Sequence, residues 1–214
     1  MQVDKLINDL TGGGYLKTDK IVEAFRKIKR ADFVLEKDKA EAYSNYPLAI
    51  GFGQTISQPL TVAFMLELLS PQAGEKILDI GSGSGWTVAL LAELVGSQGR
   101  VYGLEVIDEL VEFAKNNVEK YSFIKKGIAF VWQGDGYEGL SDLSPFDKII
   151  VSAAAPTVPV RLIEQLKIGG RLIIPIGREN SEQAIMVIDK INNREVKEKK
   201  FPGFIFVPLV TTNK

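Results

Sequence analysis

The chain has 214 residues, of which 45% are apolar and 25% charged, so it reads as an ordinary globular protein able to bury a core. Twenty-six basic residues against 27 acidic give a net charge of −1, which excludes the bulk positive field of a general nucleic-acid or membrane-surface binder. With no cysteine and no histidine, disulfide scaffolds, thiol nucleophiles, Cys/His zinc sites, Ser-His-Asp triads and histidine acid–base catalysis are all excluded.

In chain order, residues 1–40 read as helical. Val3, Leu6, Ile7 and Leu10 keep helical spacing, Gly12-Gly13-Gly14 breaks it, and a second amphipathic stretch runs from Thr18 to about Ile28. The early acid at Asp4 and the short apolar runs do not resemble a signal peptide or a membrane span, so a cytoplasmic location is expected. Residues 43–58 carry two glycines and a proline without a sustained period, and are expected to form a loop. Pro59 then suits the first turn of a helix whose apolar face is Val62, Met65, Leu66 and Leu69.

From residue 76, β-rich runs alternate with helical runs, the pattern of a doubly wound, mostly parallel α/β sheet. Seven strands are expected, at 76–80, 100–105, 128–133, 147–152, 171–176, 184–191 and 204–209, with helices at 87–95, 108–120 and 160–167 and a shorter connection near 137–143. Asn192-Asn193 between the last two predicts an antiparallel hairpin at the sheet edge. The run from Lys190 to Lys200, five basic and two acidic residues, reads as its solvated tip. The expected organisation is one domain over 1–214: N-terminal helices and a loop to residue 70, then the Rossmann-like core.

The first strand runs into Gly81-Ser82-Gly83-Ser84-Gly85, a strand-to-helix turn where glycines let the backbone approach a ligand and the helix start offers unpaired N–H groups. A dinucleotide fingerprint would need glycine at position 86, where Trp86 stands, so a nicotinamide or flavin cofactor is disfavoured. The spacing from Asp79 to Gly85 resembles class I S-adenosylmethionine-dependent methyltransferases. Glu105 ends the second strand, 24 residues after Gly81, where a carboxylate can accept from both ribose hydroxyls. Asp135-Gly136 follows the third strand, where an adenine amino group would lie in such a fold. Each has a plainer reading: Asp79 as a turn acid, Glu105 as an exposed strand end, Asp135-Gly136 as an ordinary turn dipeptide.

The segment Pro47-Leu48-Ala49-Ile50-Gly51-Phe52-Gly53-Gln54-Thr55-Ile56-Ser57-Gln58-Pro59 resembles the signature of protein-L-isoaspartate (D-aspartate) O-methyltransferases. So do Gly134-Asp135-Gly136, Ala153-Ala154-Ala155-Pro156, Gly169-Gly170-Arg171-Leu172, Pro175-Ile176-Gly177 and Phe206-Val207-Pro208-Leu209, in that order. The resemblance implies transfer of a methyl group from S-adenosyl-L-methionine, leaving S-adenosyl-L-homocysteine, to the α-carboxylate of isoaspartyl residues in age-damaged proteins. The resulting ester then collapses to a succinimide. It implies no metal, no nucleic-acid or membrane partner, and a monomer. A carboxylate acceptor is already nucleophilic at neutral pH, which suits a chain without histidine.

Carried over position by position, the resemblance implies Ser57 as the active-site hydroxyl. It implies cofactor contacts from Gln54, Thr55, Ile56, Asp79, Gly81, Ser82, Gly83, Gly85, Glu105, Val106, Asp135 and Gly136. Ile56, Ser57, Ala153, Ala154, Ala155 and Pro156 would face the substrate. Ser57 could instead cap the helix that Pro59 begins. Asn45 stands where the family usually has Asp, Ala49 where proline is frequent, and Val210 where some members have threonine. A methyltransferase of the same fold with another dedicated acceptor, RNA, peptide or small molecule, is the main alternative. A silent binding module is a second.

Overall fold

The computed structural model describes residues 2–179 and 181–211; Met1, the first residue of the predicted helical layer, lies outside them. The N-terminal layer follows the apolar spacing. Helix α1 (Gln2–Gly12) buries Leu6, Ile7 and Leu10, and α2 (Asp19–Lys27) buries Ile21, Ala24 and Phe25. Asp19 in the first turn of α2 and Arg26 and Lys27 in the last complement its dipole. Two 3-10 turns, Arg30–Phe33 and Glu36–Glu41, lead away from α2. Helix α3 (Pro59–Leu69) starts on its proline and lends Glu67 to the start of α2, where its carboxylate accepts from the backbone of Lys17 and Thr18 and from the Thr18 hydroxyl, all at 2.8 Å.

The segment expected to be a loop holds a small hairpin, β1 (Leu48–Gly51) against β2 (Gln54–Ile56), with Leu48 opposite Ile56 and Ala49 opposite Thr55. Strands this short carry no period, and the turn is made by three left-handed residues, Gly51, Phe52 and Gly53.

The main sheet contains β3 (Lys76–Ile80), β4 (Arg100–Glu105), β5 (Ala129–Gln133), β6 (Phe146–Val151), β7 (Leu166–Ile176), β8 (Gln183–Lys190) and β9 (Val196–Phe204) in the order β5-β4-β3-β6-β7-β8-β9. The pairs from β5 through β7 are parallel, and β7–β8 and β8–β9 are antiparallel. Helices α4 (Trp86–Val95) and α5 (Asp108–Glu119) make the first two crossovers, and α6 (Val160–Glu164) joins β6 to β7. The chain reverses direction across the sheet between β3 and β6, so the carboxyl ends of β3, β4, β5 and β6 flank one crevice.

The edge departs from expectation. The last strand is Val196–Phe204 rather than 204–209: Ile191 and Asn192 both donate to the carbonyl of Glu195, closing the turn early and sending the lysine-rich run into an edge strand exposed on both faces over residues 197–200. Lys190 is not solvated; it is buried, and its Nζ donates to the carbonyls of Ile163, Glu164 and Leu166. Those bonds close α6 after five residues, so β7 begins at Leu166, inside the stretch expected to be helical. Residues 205–209 instead return over the sheet: Ala154 donates to Val207, and Leu209 donates to Ala154, each at 2.8 Å. Among the described residues no helix is long and apolar enough to cross a membrane.

Candidate active site

The turn after β3 is built from left-handed glycines, with φ of +73° at Gly81, +52° at Gly83 and +86° at Gly85. Gly85 precedes α4, and a Cβ there would lie 2.9 Å from Val118 Cγ2 and 3.1 Å from the Ala114 carbonyl, so α5 closes against the turn only because the residue is glycine. Gly81 donates to the carbonyl of Leu104 at 2.8 Å, and Asn117 donates to that of Ser84 at 3.0 Å, fixing the turn against β4 and α5.

Glu105 is buried at the end of β4, not exposed. One carboxylate oxygen accepts from the backbone of Gly83 at 2.9 Å; the other accepts from Val106 at 2.9 Å and Ile107 at 3.1 Å. Three backbone N–H groups therefore hold it rigid as an anion at the mouth of the turn. Asp79 is fully buried beneath the turn, and neither of its oxygens has a hydrogen-bond partner. Burial first, and then the charge of Glu105, pushes its carboxyl up to about 8. An unsatisfied buried carboxyl is costly, and it fits a ligand that brings a cationic or N–H donor group to this turn.

An open cavity lies over these residues. It brings together Gln54, Thr55, Ile56 and Ser57, the turn at Gly81, Ser82 and Gly83, and Glu105, Val106 and Gly136, with Ala153 at its side. Gly85 and Asp79 lie behind that wall, outside the lining. Gly136 admits no side chain, because a Cβ would sit 2.6 Å from Ile80 Cγ2 and 2.9 Å from Leu209 Cδ1. Asp135 is not part of the lining; its Oδ1 accepts from the Tyr137 backbone at 2.9 Å, as in the plainer reading of a turn dipeptide.

A second cavity, about 930 Å³, adjoins the first. The two share Thr55, Ser57, Ser152, Val207 and Pro208. Ser57 thus stands at the junction. The start of α3 is served by Asn45, whose Oδ1 accepts from the Leu60 backbone at 3.0 Å, while the Ser57 hydroxyl makes no capping bond. Of the small-residue run, Ala153 faces the first cavity, Ala154 and Pro156 face a third beside Glu179, and Ala155 is buried between strands, its N–H bound to Pro175 and its carbonyl to Gly177. Ala155 therefore serves the sheet rather than a cavity wall.

Sequence reasoning passed over Ser152 and placed 204–209 in a strand; of the returning segment it singled out only Val210, as a position near the cofactor where some members have threonine. Ser152 had a signal, as the residue following the strand next to the central one. The return of the C-terminal segment had none, because its bonds to Ala154 span some fifty residues. Val210 lines the first cavity. Asn45 lines neither of the two joined cavities.

A family model for protein-L-isoaspartate(D-aspartate) O-methyltransferase (PCMT) matches residues 1–214. The chain is 42% identical over 207 residues to the protein-L-isoaspartate O-methyltransferase of Methanopyrus kandleri, covering 97% of this chain and 90% of that protein. To that of Thermococcus onnurineus it is 44% identical over 204 residues, covering 95% and 91%. Among solved structures it is similar to a Plasmodium falciparum chain assigned to the same activity and crystallised with S-adenosyl-L-homocysteine, with a TM-score of 0.86 at 27% identity and coverage of 97% of this chain and 98% of that one.

Proposed function

The chain belongs to the protein-L-isoaspartate(D-aspartate) O-methyltransferase family, and from that premise we propose how its own residues carry out the transfer. The activity is methylation of isoaspartyl residues in damaged proteins, a repair reaction. The observation that carries the assignment of residues is the junction: one cavity holds the glycine turn and Glu105, the other opens outward, and Ser57 and Ser152 stand where they meet.

S-adenosylmethionine supplies a methyl group activated by a sulfonium sulfur. On the protein side, the buried Glu105 carboxylate, held by Gly83, Val106 and Ile107, would accept from the ribose hydroxyls. Gly134 and Gly136 line the same cavity, where the adenine ring would lie. Asp79, buried behind the cavity wall, would face the cationic amino-acid end of the cofactor through the turn rather than touch it.

The outer cavity would take the isoaspartyl residue, with Ser57 donating its hydroxyl to one oxygen of the acceptor carboxylate and leaving the other to attack. No general base is required, since the carboxylate carries its lone pairs at neutral pH. The residues therefore act mainly by alignment, which is worth roughly 7–11 kcal/mol when two reactants are held in a near-attack geometry. Ile56, Val62, Leu104 and the returning Val207–Val210 present apolar atoms around the junction and exclude water from the carboxylate as it is neutralised. The ester formed is open to attack by the following backbone nitrogen, giving a succinimide whose hydrolysis returns part of the chain to normal aspartate.

Labelled S-adenosylmethionine and two peptides differing only in Asp or isoAsp at one site test this reading. Base-labile label on the isoaspartyl peptide alone is the expected result, and label on neither, with cofactor binding intact, would sink it. In the same assay Ser57→Ala should lower kcat about 10- to 100-fold, the scale of a misplaced acceptor oxygen. Full activity at unchanged peptide KM would remove Ser57 from the mechanism.

A further inference from the structure

Arg30 lies between the acceptor loop and the cofactor turn. It opens the first 3-10 turn after α2 and is only 1% exposed. Its Nη1 donates to the carbonyl of Ala42 at 2.7 Å and, at longer range, to that of Ser44 at 3.4 Å. Its Nη2 donates to the carbonyls of Tyr46 at 3.0 Å and Ser57 at 3.1 Å. The guanidinium carbon sits 5.4 Å from the centroid of the Trp86 ring, which Phe25 meets edge to face at 5.4 Å. Trp86 is the first residue of α4 and lines the cofactor cavity.

Among the described residues no carboxylate pairs with this cation. Four main-chain carbonyls replace water around it, and burial pulls its pKa down to about 10, which still leaves it charged at neutral pH. A buried charge is a poor way to gain stability, since apolar residues of similar volume serve as well or better. What the guanidinium does that an apolar side chain does not is geometric. Its flat fork fixes the carbonyls of residues 42, 44, 46 and 57 relative to one another, and its face fixes all of them relative to Trp86. A lysine ammonium has neither the fork nor the face.

We propose that Arg30 is a positioning residue for methyl transfer: it sets the Ser57 loop at a defined distance from the cofactor-side helix, and so the acceptor carboxylate against the methyl group. The proposal rests on the role given to Ser57 above. It explains why a chain of 214 residues keeps an unpaired cation in its core beside its reaction site.

The test substitutes Arg30→Lys and Arg30→Met, each in the parent enzyme and in Ser57→Ala. Folded fraction is measured by thermal melts, S-adenosylhomocysteine affinity by calorimetry, and kcat and KM on the isoaspartyl peptide. In the parent background, Arg30→Lys is expected to bind S-adenosylhomocysteine within about threefold of the parent while kcat falls about 10- to 100-fold, the cost of a misplacement near 1 Å. In the Ser57→Ala background the same change should cost less than about threefold, because residues that act as a unit are non-additive. Equal losses in both backgrounds would overturn the proposal, as would unchanged kcat or a kcat loss matched by lost S-adenosylhomocysteine affinity. If neither variant folds, Arg30 belongs to the fold alone and the positioning role is lost. Parent enzyme that binds S-adenosylhomocysteine but leaves the isoaspartyl peptide unlabelled would point instead to failure of the acceptor reading, and that outcome is seen before any variant is compared.

Discussion

Asp79 is a fully buried carboxyl group to which no protein group donates, and its titration is the means of observing that environment. In the unfolded chain it would release its proton near 3.8, whereas burial and Glu105 raise it to about 8 in the folded protein. The folded state therefore binds the extra proton between those values. Its contribution to stability is full below 3.8 and drains away as pH rises through about 8. Asp79→Asn should thus raise the melting temperature of the ligand-free protein by a few °C at pH 8, on the scale of one buried unsatisfied group, and by less at pH 5. The same variant should weaken S-adenosylhomocysteine binding only above about pH 8, where the carboxyl is charged, and leave it unchanged at pH 6, where carboxyl and amide are both neutral. An equal effect on stability at both pH values would show that the carboxyl is already ionised and partnered.

At the scale of elements, what was legible in the sequence was whatever is local. The helices α1, α2 and α5 announce themselves by period, α3, α4 and the parallel strands as short apolar runs between turn residues, and the glycine turn with Glu105 lies within one βαβ unit. The β1–β2 hairpin was hidden because strands of four and three residues pair only with each other. The edge strand β9 was hidden because Lys197, Glu198, Lys199 and Lys200 are exposed on both its faces, so it shows no apolar alternation. Arg30 was hidden for a related reason: in a basic amphipathic stretch, nothing in the chain distinguishes the one arginine that turns inward from its solvated neighbours. Asn45 shows the converse, a departure from the family pattern that looked functional and is structural. Its Oδ1 serves the first turn of α3, so Asn45→Asp should keep the bond and add a charge favourable to the helix dipole. A gain of about 0.3–1 kcal/mol is expected, seen as a melting temperature higher by about 1–4 °C with the peptide KM unmoved. A rise in KM would place Asn45 at the substrate after all.

On the scale of the whole molecule, the site belongs to no single part of the chain. One wall comes from the ends of β3, β4 and β5, another from the hairpin preceding α3, and its closing side from residues 207–210, which pair with Ala154 beyond the end of β6. Truncation after Phe204 should leave the circular dichroism of the sheet close to that of the full chain while S-adenosylhomocysteine binding falls about a hundredfold or more. That loss corresponds to the roughly 3 kcal/mol that several apolar wall residues contribute when buried against a ligand. Retained binding would mean that the returning segment covers the cavity without contributing to it.

The same return path sets an order of events during synthesis. Every strand of the seven-stranded sheet has left the ribosome before residues 205–211 follow, so a growing chain can assemble its central sheet while one side of the cleft is still missing. The lining of the cleft is therefore complete only on a chain translated past Val210, and a fragment stalled short of that point carries the sheet without the closing side of the cleft.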